Sequence, residues 1–159
     1  MTSRLFRMLA IIPFLAISTS VLAQQPPSLK LEDAVHYRKA GYAFMHWNMK
    51  KLKAMLDDSR PIDKQQARAA ANAIHAAAHS GMGALYVPGS DQDAIGENTR
   101  LKADFFRQPE KVRKVAKTYR IASDKLADAA VSAEREALKA AFGEMAKACK
   151  ACHKAFRED

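Results

Sequence analysis

The sequence predicts an all-α protein, an antiparallel four-helix bundle, and three observations indicate that class. Apolar residues recur at helical spacing through four long segments, and short turn signals separate these segments. No stretch of useful length alternates apolar and polar residues as a half-buried strand would. After an apolar leader of 23 residues, the remaining chain, 24–159, has the length of one domain.

The first helix is predicted to run from Glu32 to Asp57, after a loop at Pro26 and Pro27 and before the break at Pro61. One face carries an a/d seam of the kind that packs helices against one another. The seam consists of two interleaved series with a seven-residue spacing, namely Val35, Tyr42, Met49 and Leu56 with Arg38, Met45 and Leu52.

The second helix is predicted from Asp63 to Leu85, and a longer connection from Val87 to Gly96 follows it. Its core face is made of small residues, which let a neighbouring helix or a flat macrocycle approach closely. That face is formed by Ala67, Ala70, Ala73, Ile74, Ala77 and Ala78.

The third helix is predicted from about Asn98 to Ala130, and Pro109 either kinks it or begins its main part. Its core positions are Val112, Val115, Tyr119, Ala122, Leu126 and Ala129.

The fourth helix is predicted to end at Phe156, with Ser132 as its N-cap. Its apolar seam has spacings of 4, 3, 4, 3 and 4 residues, and both cysteines of the chain lie on it. The seam is Leu138, Phe142, Met145, Cys149, Cys152 and Phe156.

The motif Cys149-Lys150-Ala151-Cys152-His153 is the attachment signature of a c-type haem. On a helix, Cys149 and Cys152 share a face and His153 lies beside them. The thiols add to the two haem vinyl groups and the imidazole binds iron. A redox disulfide or half a zinc site are the alternatives, but the former needs a βαβ context and the latter a second ligand pair. The seam therefore predicts one covalent haem c held against the bundle interior.

Residues 1–23 have the pattern of a secretory signal peptide. Arg4 and Arg7 precede a short apolar run, and small residues stand before a cleavage site after Ala23. Export to the periplasm agrees with the haem motif, because bacteria attach c-type haem outside the cytoplasmic membrane. An uncleaved anchor is the alternative, although the run is short for a membrane span.

The predicted mature domain is basic, with 24 Lys and Arg against 17 Asp and Glu and a formal charge of +7. Haem propionates would lower this value. A basic surface can bind nucleic acid, an anionic membrane or an acidic protein, but the basic residues here are scattered rather than clustered, which is typical of solvated helix faces. Nucleic acid is not an expected partner for an exported protein.

Arg38 is a charged residue at a seam position, and a buried charge needs a partner. A haem propionate is the predicted partner, because a guanidinium pairs with a carboxylate through two hydrogen bonds. The alternative is that Arg38 extends along the helix surface to solvent.

The chain resembles the class II cytochromes c, the cytochrome c′ family, over essentially all of 28–159. The resemblance is carried by a haem motif in the last helix of a four-helix bundle and by four further segments. The matching segments are Glu32–Arg38, Asn48-Met49, Tyr86–Ser90, Ala140–Glu144 and Cys149–Arg157.

The resemblance implies that one position decides the coordination of the iron. Four residues after the arginine of the first helix, the low-spin branch has a ligating Met, whereas cytochromes c′ have a non-ligating, usually bulky residue. Tyr42 stands there, which predicts the high-spin branch, with His153 as the sole protein ligand and Tyr42, Met45 and Tyr86 lining the distal pocket. Met45 or Met49 as ligand, and Tyr42 as a phenolate ligand, are the alternatives.

Other residues carry weaker predictions. By resemblance, Arg157 is expected near the proximal side of the haem, with a frayed, solvated terminus as the alternative. Trp47 is a candidate for a homodimer interface through the first two helices, or for packing within the bundle. His75 and His79 have an i, i+4 spacing that can bind metal, but no third ligand is evident; His36 and His46 have no evident partner.

The predicted function is a periplasmic haem protein with five-coordinate, His-ligated iron that binds a small diatomic gas such as NO, transfers electrons to a redox partner protein, or both. The alternative is a low-spin, Met-ligated class II cytochrome c that only carries electrons. No enzymatic activity is predicted, since a peroxidase would need a distal His/Arg pair. No membrane span is expected in the mature form.

Overall fold

The computed structural model describes residues 29–158, so the predicted signal peptide and cleavage site lie outside the described residues. Within 29–158 the regular structure is helical, and the only extended pairing is a single bridge between Leu101 and Arg157. None of the helices in that part of the chain is long and apolar enough to cross a membrane.

Four long helices form a four-helix bundle, which confirms the predicted fold class. Helix α1 contacts α2 and α6, and α5 contacts the same two helices on the opposite side. The long helices are α1 (Leu31–Asp57), α2 (Lys64–His79), α5 (Pro109–Ser132) and α6 (Arg135–Phe156); the connection between α2 and α5 holds the short helices α3 (Gln92–Ile95) and α4 (Asp104–Arg107) and the 3₁₀ turns Met82–Leu85 and Gly96–Asn98.

The predicted start of α2 is confirmed, but its end is wrong. The Asp63 side chain accepts a hydrogen bond from the Gln66 amide at 3.0 Å and so caps the helix. The helix ends at His79 rather than Leu85, because Gly81 adopts a left-handed conformation with φ of +81° and a 3₁₀ turn follows.

The third and fourth long helices also begin later than predicted. Helix α5 starts at Pro109 rather than near Asn98, since a proline suits the first turn and cannot donate a hydrogen bond further inside a helix. Ser132 is not an N-cap but the last residue of α5, and Ala133 turns the chain with a φ of +53° before α6.

The buried core is built from residues of the predicted seams and of the small-residue face of α2, but Tyr42, a predicted seam position on α1, is 37% exposed. Ala67, Ala70 and Ile74 are fully buried, and Ala71 joins them where the sequence had suggested Ala73. The largest side chains buried in the same core come from the other three long helices: Leu52 from α1, Leu126 from α5, and Leu138 and Met145 from α6.

The connection between α2 and α5 packs against the C-terminal end of α6. Phe105 stacks on Tyr86 with ring centroids 4.2 Å apart and meets Phe156 edge-on at 5.3 Å. The backbone amide of Lys102 donates to the carbonyl of Phe156 at 2.9 Å, and that of Glu158 donates to the carbonyl of Arg100 at 2.8 Å. The connection is thereby attached to the C-terminal end of α6, which carries the two cysteines.

Candidate functional site

The haem-attachment motif lies in the last two turns of α6. Cys149 and Cys152 are half-buried, neither forms a disulfide, and burial raises the pKa of both thiols. His153 is exposed, and its pKa is lowered by desolvation and by the charges of Arg157, Arg100 and His46. The site therefore offers two free thiols and a neutral imidazole, which is the form that binds a metal.

Tyr42 on α1 and Tyr86 after the 3₁₀ turn meet beside these cysteines. The Tyr86 hydroxyl donates a hydrogen bond to the Tyr42 hydroxyl at 2.9 Å. Desolvation raises the pKa of both phenols, and the charge of Cys152 contributes to both increases. The structure thus brings together two of the predicted distal residues and the attachment motif, with both tyrosines in the neutral form.

Tyr119 on α5 is a third phenol at this site, and the sequence indicated it only as a core position. Its hydroxyl donates to the Met45 sulfur at 2.7 Å, and desolvation together with the charges of Tyr42 and the two cysteines raises its pKa. Met45 is 5% exposed, and Met49 packs against the bundle core. Both methionines therefore have the surroundings of core residues.

Arg38 is 4% exposed, so its side chain does not extend to solvent. Its two terminal nitrogens donate four hydrogen bonds, to the Ser90 hydroxyl and carbonyl at 2.9 Å each, to the Thr99 hydroxyl at 3.0 Å and to the Leu85 carbonyl at 3.2 Å. The guanidinium also lies 4.9 Å from the centre of the Tyr86 ring.

The arginine therefore attaches α1 to the loop that holds Tyr86. Desolvation lowers its pKa, although a guanidinium remains charged at neutral pH. The propionate partner stays a prediction. The loop partners Ser90 and Thr99 were not predicted, because loop residues have no periodic signal that marks which helix they will meet.

Arg157 follows the last turn of α6 in an extended conformation, and its side chain is exposed. Its backbone amide donates to the His153 carbonyl at 2.9 Å. Its charge contributes to the lowered pKa of His153 and partly offsets the increase that burial causes in the pKa of Cys152. It is thus near enough to act electrostatically on the proposed iron ligand, and its role on the proximal side stays a prediction.

The arrangement fits a c-type haem. Two free, half-buried thiols lie one turn apart on α6, the pKa of the adjacent imidazole is lowered, and three phenols with raised pKa values lie close enough for the cysteines to contribute to those increases. Cys149 packs against the apolar core, and the stacked rings of Tyr86 and Phe105 reach Phe156 at the end of the same helix, so apolar side chains lie on both sides of the motif along α6.

Comparisons with known proteins agree with this description. A family model described as Cytochrome C′ matches residues 33–157. The cytochrome c′ of Allochromatium vinosum is 43% identical over 143 residues, which are 90% of each chain.

Solved structures match over the whole described bundle. The crystal structure of cytochrome c′ from Thermochromatium tepidum superposes with a TM-score of 0.76 at 46% identity, covering 82% of this chain and 98% of the other. A cytochrome c′ with ligand-controlled dimer dissociation gives a TM-score of 0.77 at 45% identity with the same coverage. Variants of the Alcaligenes xylosoxidans cytochrome c′ with bound carbon monoxide and as a nitrosyl complex match at 25% identity, with TM-scores of 0.71 and 0.70.

Proposed function

The chain belongs to the cytochrome c′ family, and we propose that it is a periplasmic nitric-oxide-binding protein whose iron has His153 as its only protein ligand. The cofactor is haem c. Cys149 and Cys152 are the proposed attachment residues, because they are the only cysteines of the chain and both are free. A five-coordinate haem iron supplies an open position that binds NO and CO.

The observation that carries the proposal is the position of Tyr42. The residue stands where a low-spin relative would present a ligating Met, and its hydroxyl accepts a hydrogen bond from Tyr86. Desolvation keeps the pKa of Tyr42 above its ordinary value, which argues against a phenolate ligand. A neutral phenol leaves the distal position to exogenous ligands.

The surroundings of the two methionines support the same proposal. The Met45 sulfur accepts a hydrogen bond from Tyr119, and Met49 contacts the bundle core. For either sulfur to reach the iron, its core contacts would have to be broken. The low-spin, Met-ligated electron carrier is therefore the less favoured alternative.

Diatomic ligands are proposed from the chemistry of the site and from the relatives. Variants of the Alcaligenes xylosoxidans protein have been solved with bound carbon monoxide and as a nitrosyl complex. The distal lining offers phenol groups as its hydrogen-bond donors, and the bulky Tyr42 ring has to move before a ligand enters. Such a pocket favours the small ligand that binds most strongly, which is NO.

Export to the periplasm is proposed from the leader of residues 1–23, with cleavage after Ala23. The attachment of haem to Cys149 and Cys152 requires the same compartment in bacteria.

A homodimer through α1 and α2 is proposed from an aromatic surface on α1. Tyr37, Phe44 and Trp47 are 53%, 51% and 54% exposed, and the Phe44 and Trp47 rings lie 5.8 Å apart. Lys51 lies 4.7 Å from the centre of the Trp47 ring. Large exposed aromatic residues are typical of protein interfaces, and one of the related structures is a dimer whose dissociation a ligand controls.

Electron transfer is the second candidate function, and the observation that favours it is the basic, exposed surface of α1. Lys50 and Lys53 are exposed there, and such side chains suit docking to an acidic redox partner, although Lys53 also pairs with Asp57 on the same helix. Gas binding and electron transfer use the same iron and do not exclude each other. No catalytic step is part of either proposal.

The optical spectrum of the purified, haem-loaded protein tests the proposal, with NO added to the ferrous form. We expect a broad high-spin spectrum and a stoichiometric NO complex. A split low-spin spectrum with a methionine-to-iron charge-transfer band would contradict it and support the electron carrier. Met45→Leu and Met49→Leu are the matched variants: an unchanged spectrum in both agrees with the proposal, and a change from low to high spin in either identifies that Met as a ligand.

A further inference from the structure

A cluster of metal-binding side chains lies on the surface between α2 and α5. The sequence indicates His75 and His79 as an i, i+4 pair without a third ligand. The structure adds Asp124 from α5 to this pair. Nitrogen or oxygen donor atoms of the three side chains all lie within 4.8 Å of one another.

Both imidazole rings turn a nitrogen toward the same carboxylate oxygen. The Nε2 atom of His79 lies 2.8 Å from Oδ1 of Asp124, and Nε2 of His75 lies 3.1 Å from the same oxygen. The two imidazole rings lie side by side with centroids 4.4 Å apart. We propose that His75, His79 and Asp124 form a binding site for a divalent transition-metal ion such as Zn²⁺, separate from the haem.

The ligand chemistry favours transition metals over Mg²⁺ or Ca²⁺. Two imidazoles and one carboxylate are a donor set of Zn²⁺, Cu²⁺ or Ni²⁺, whereas the hard cations prefer oxygen ligands. Metal–ligand distances of about 2.0–2.2 Å in a tetrahedral site place neighbouring donors about 3.3 Å apart. The observed separations of 2.8 and 3.1 Å need to widen by only a few tenths of an ångström to reach that value.

The site has room for further ligands. The side chains of His75, His79 and Asp124 are 41%, 38% and 46% exposed, so water can fill the remaining coordination positions. Because the histidines belong to α2 and the carboxylate to α5, a bound ion connects two helices whose packing encloses the core. Metal binding to the folded state therefore raises the stability of the bundle by mass action.

The competing interpretation is a hydrogen-bonded cluster in which the Asp124 carboxylate accepts from both imidazoles and no metal binds. Titration of the metal-free, untagged, haem-loaded protein with ZnCl₂ in a calorimeter separates the two. We expect one Zn²⁺ per chain with a dissociation constant below about 10 µM, and no binding of Mg²⁺.

Three variants test the assignment of the ligands. His75→Ala, His79→Ala and Asp124→Asn should each weaken Zn²⁺ binding more than about 100-fold, because even the outer partners of metal ligands are worth about 10- to 100-fold. His36→Ala is the matched control, since His36 is an exposed histidine on α1 outside the cluster, and it should bind as the unmodified protein does.

Thermal unfolding provides a second readout. Zn²⁺ should raise the melting temperature of the unmodified protein and of His36→Ala, but not that of the His75→Ala/His79→Ala double variant. Circular dichroism and NO binding show that each variant is folded. The proposal is overturned if no saturable Zn²⁺ binding occurs, or if the double variant retains the affinity of the unmodified protein.

Discussion

Removing the hydrogen bond between the hydroxyls of Tyr42 and Tyr86 is expected to speed the binding of a small gas to the ferrous protein. The two oxygens are 2.9 Å apart, and Tyr86 donates. If Tyr42 covers the distal face, a ligand enters only while the Tyr42 ring is displaced, and each displacement breaks this bond. The rate of ligand association then scales with the population of the displaced conformer.

The expected increase in the association rate follows from the loss of one neutral hydrogen bond. A neutral hydrogen bond of this kind contributes about 0.5–1.5 kcal/mol net, which corresponds to an increase of about 2- to 13-fold in the displaced population. Tyr42→Phe and Tyr86→Phe each remove the same bond, so each should give an increase in this range. The double Phe variant should be no faster than the faster single variant, because one interaction is lost only once. Tyr42→Ala also removes the ring and should be faster still.

Stopped-flow mixing of the reduced protein with CO measures the association rate. Tyr37→Phe is the matched control, because Tyr37 is a 53% exposed tyrosine on the same helix, and its rate should equal that of the unmodified protein. An unchanged rate in Tyr42→Ala would refute the distal role of Tyr42. Rate increases that multiply in the double Phe variant would show that the hydroxyls do not act through one bond.

Three further predictions concern the stability that supports the site. Arg38→Ala should lower the free energy of unfolding, measured in urea, by about 2–6 kcal/mol. The hydroxyl and the carbonyl of the fully buried Ser90 would lose their hydrogen-bond donor, and each unpaired group costs about 1–3 kcal/mol. A decrease of less than about 1 kcal/mol would contradict the role of Arg38 as that donor. Leu126→Ala in the core should lower the free energy of unfolding by about 2–5 kcal/mol in the same assay, whereas Lys139→Ala on the exposed face of α6 should lower it by no more than about 0.5 kcal/mol. Equal decreases in the two variants would contradict the burial of Leu126 in the core. Desolvation raises the pKa of the Tyr86 phenol, so the unfolded chain loses the phenol proton at a lower pH than the folded protein, and the free energy of unfolding falls as the pH rises above about 10. Between about pH 9 and about pH 11 this decline should be shallower in Tyr86→Phe than in the unmodified protein. An equal decline in the two proteins would contradict a raised pKa of Tyr86.

Helix boundaries show where sequence reasoning was accurate and where it was not. The first helix was placed to within a residue, because a charged first turn and the break before Pro61 mark its ends. The second helix was extended six residues too far, to Leu85, because its apolar and small residues continue past Gly81. The decisive feature there is the left-handed backbone of Gly81, which composition alone does not reveal.

The distal site shows a similar division. Tyr42 and Tyr86 were named from a resemblance to a family, and the structure brings their hydroxyls together across 44 residues of sequence. Tyr119 was missed because its seam position marks a core residue equally well. Its contact with the Met45 sulfur depends on how α1 and α5 approach each other, which no local pattern specifies.

The sequence by itself determined the features that depend on residues within one helix turn or one heptad. The spacing of Cys149, Cys152 and His153 is a local geometric requirement of covalent haem attachment, and the seam that holds them orients α6 toward the bundle interior. These features need no knowledge of other helices, since periodicity alone defines a face.

Only the tertiary structure decided which distant residues meet. Arg38 is joined to Ser90 and Thr99, 52 and 61 residues away, and the histidine pair on α2 acquires Asp124 from α5. Such contacts follow from the path of the connection between α2 and α5 and from the packing of whole helices. Their residues carry no shared period or motif, so hydrogen-bonding and metal-binding partners become visible only when the chain is folded.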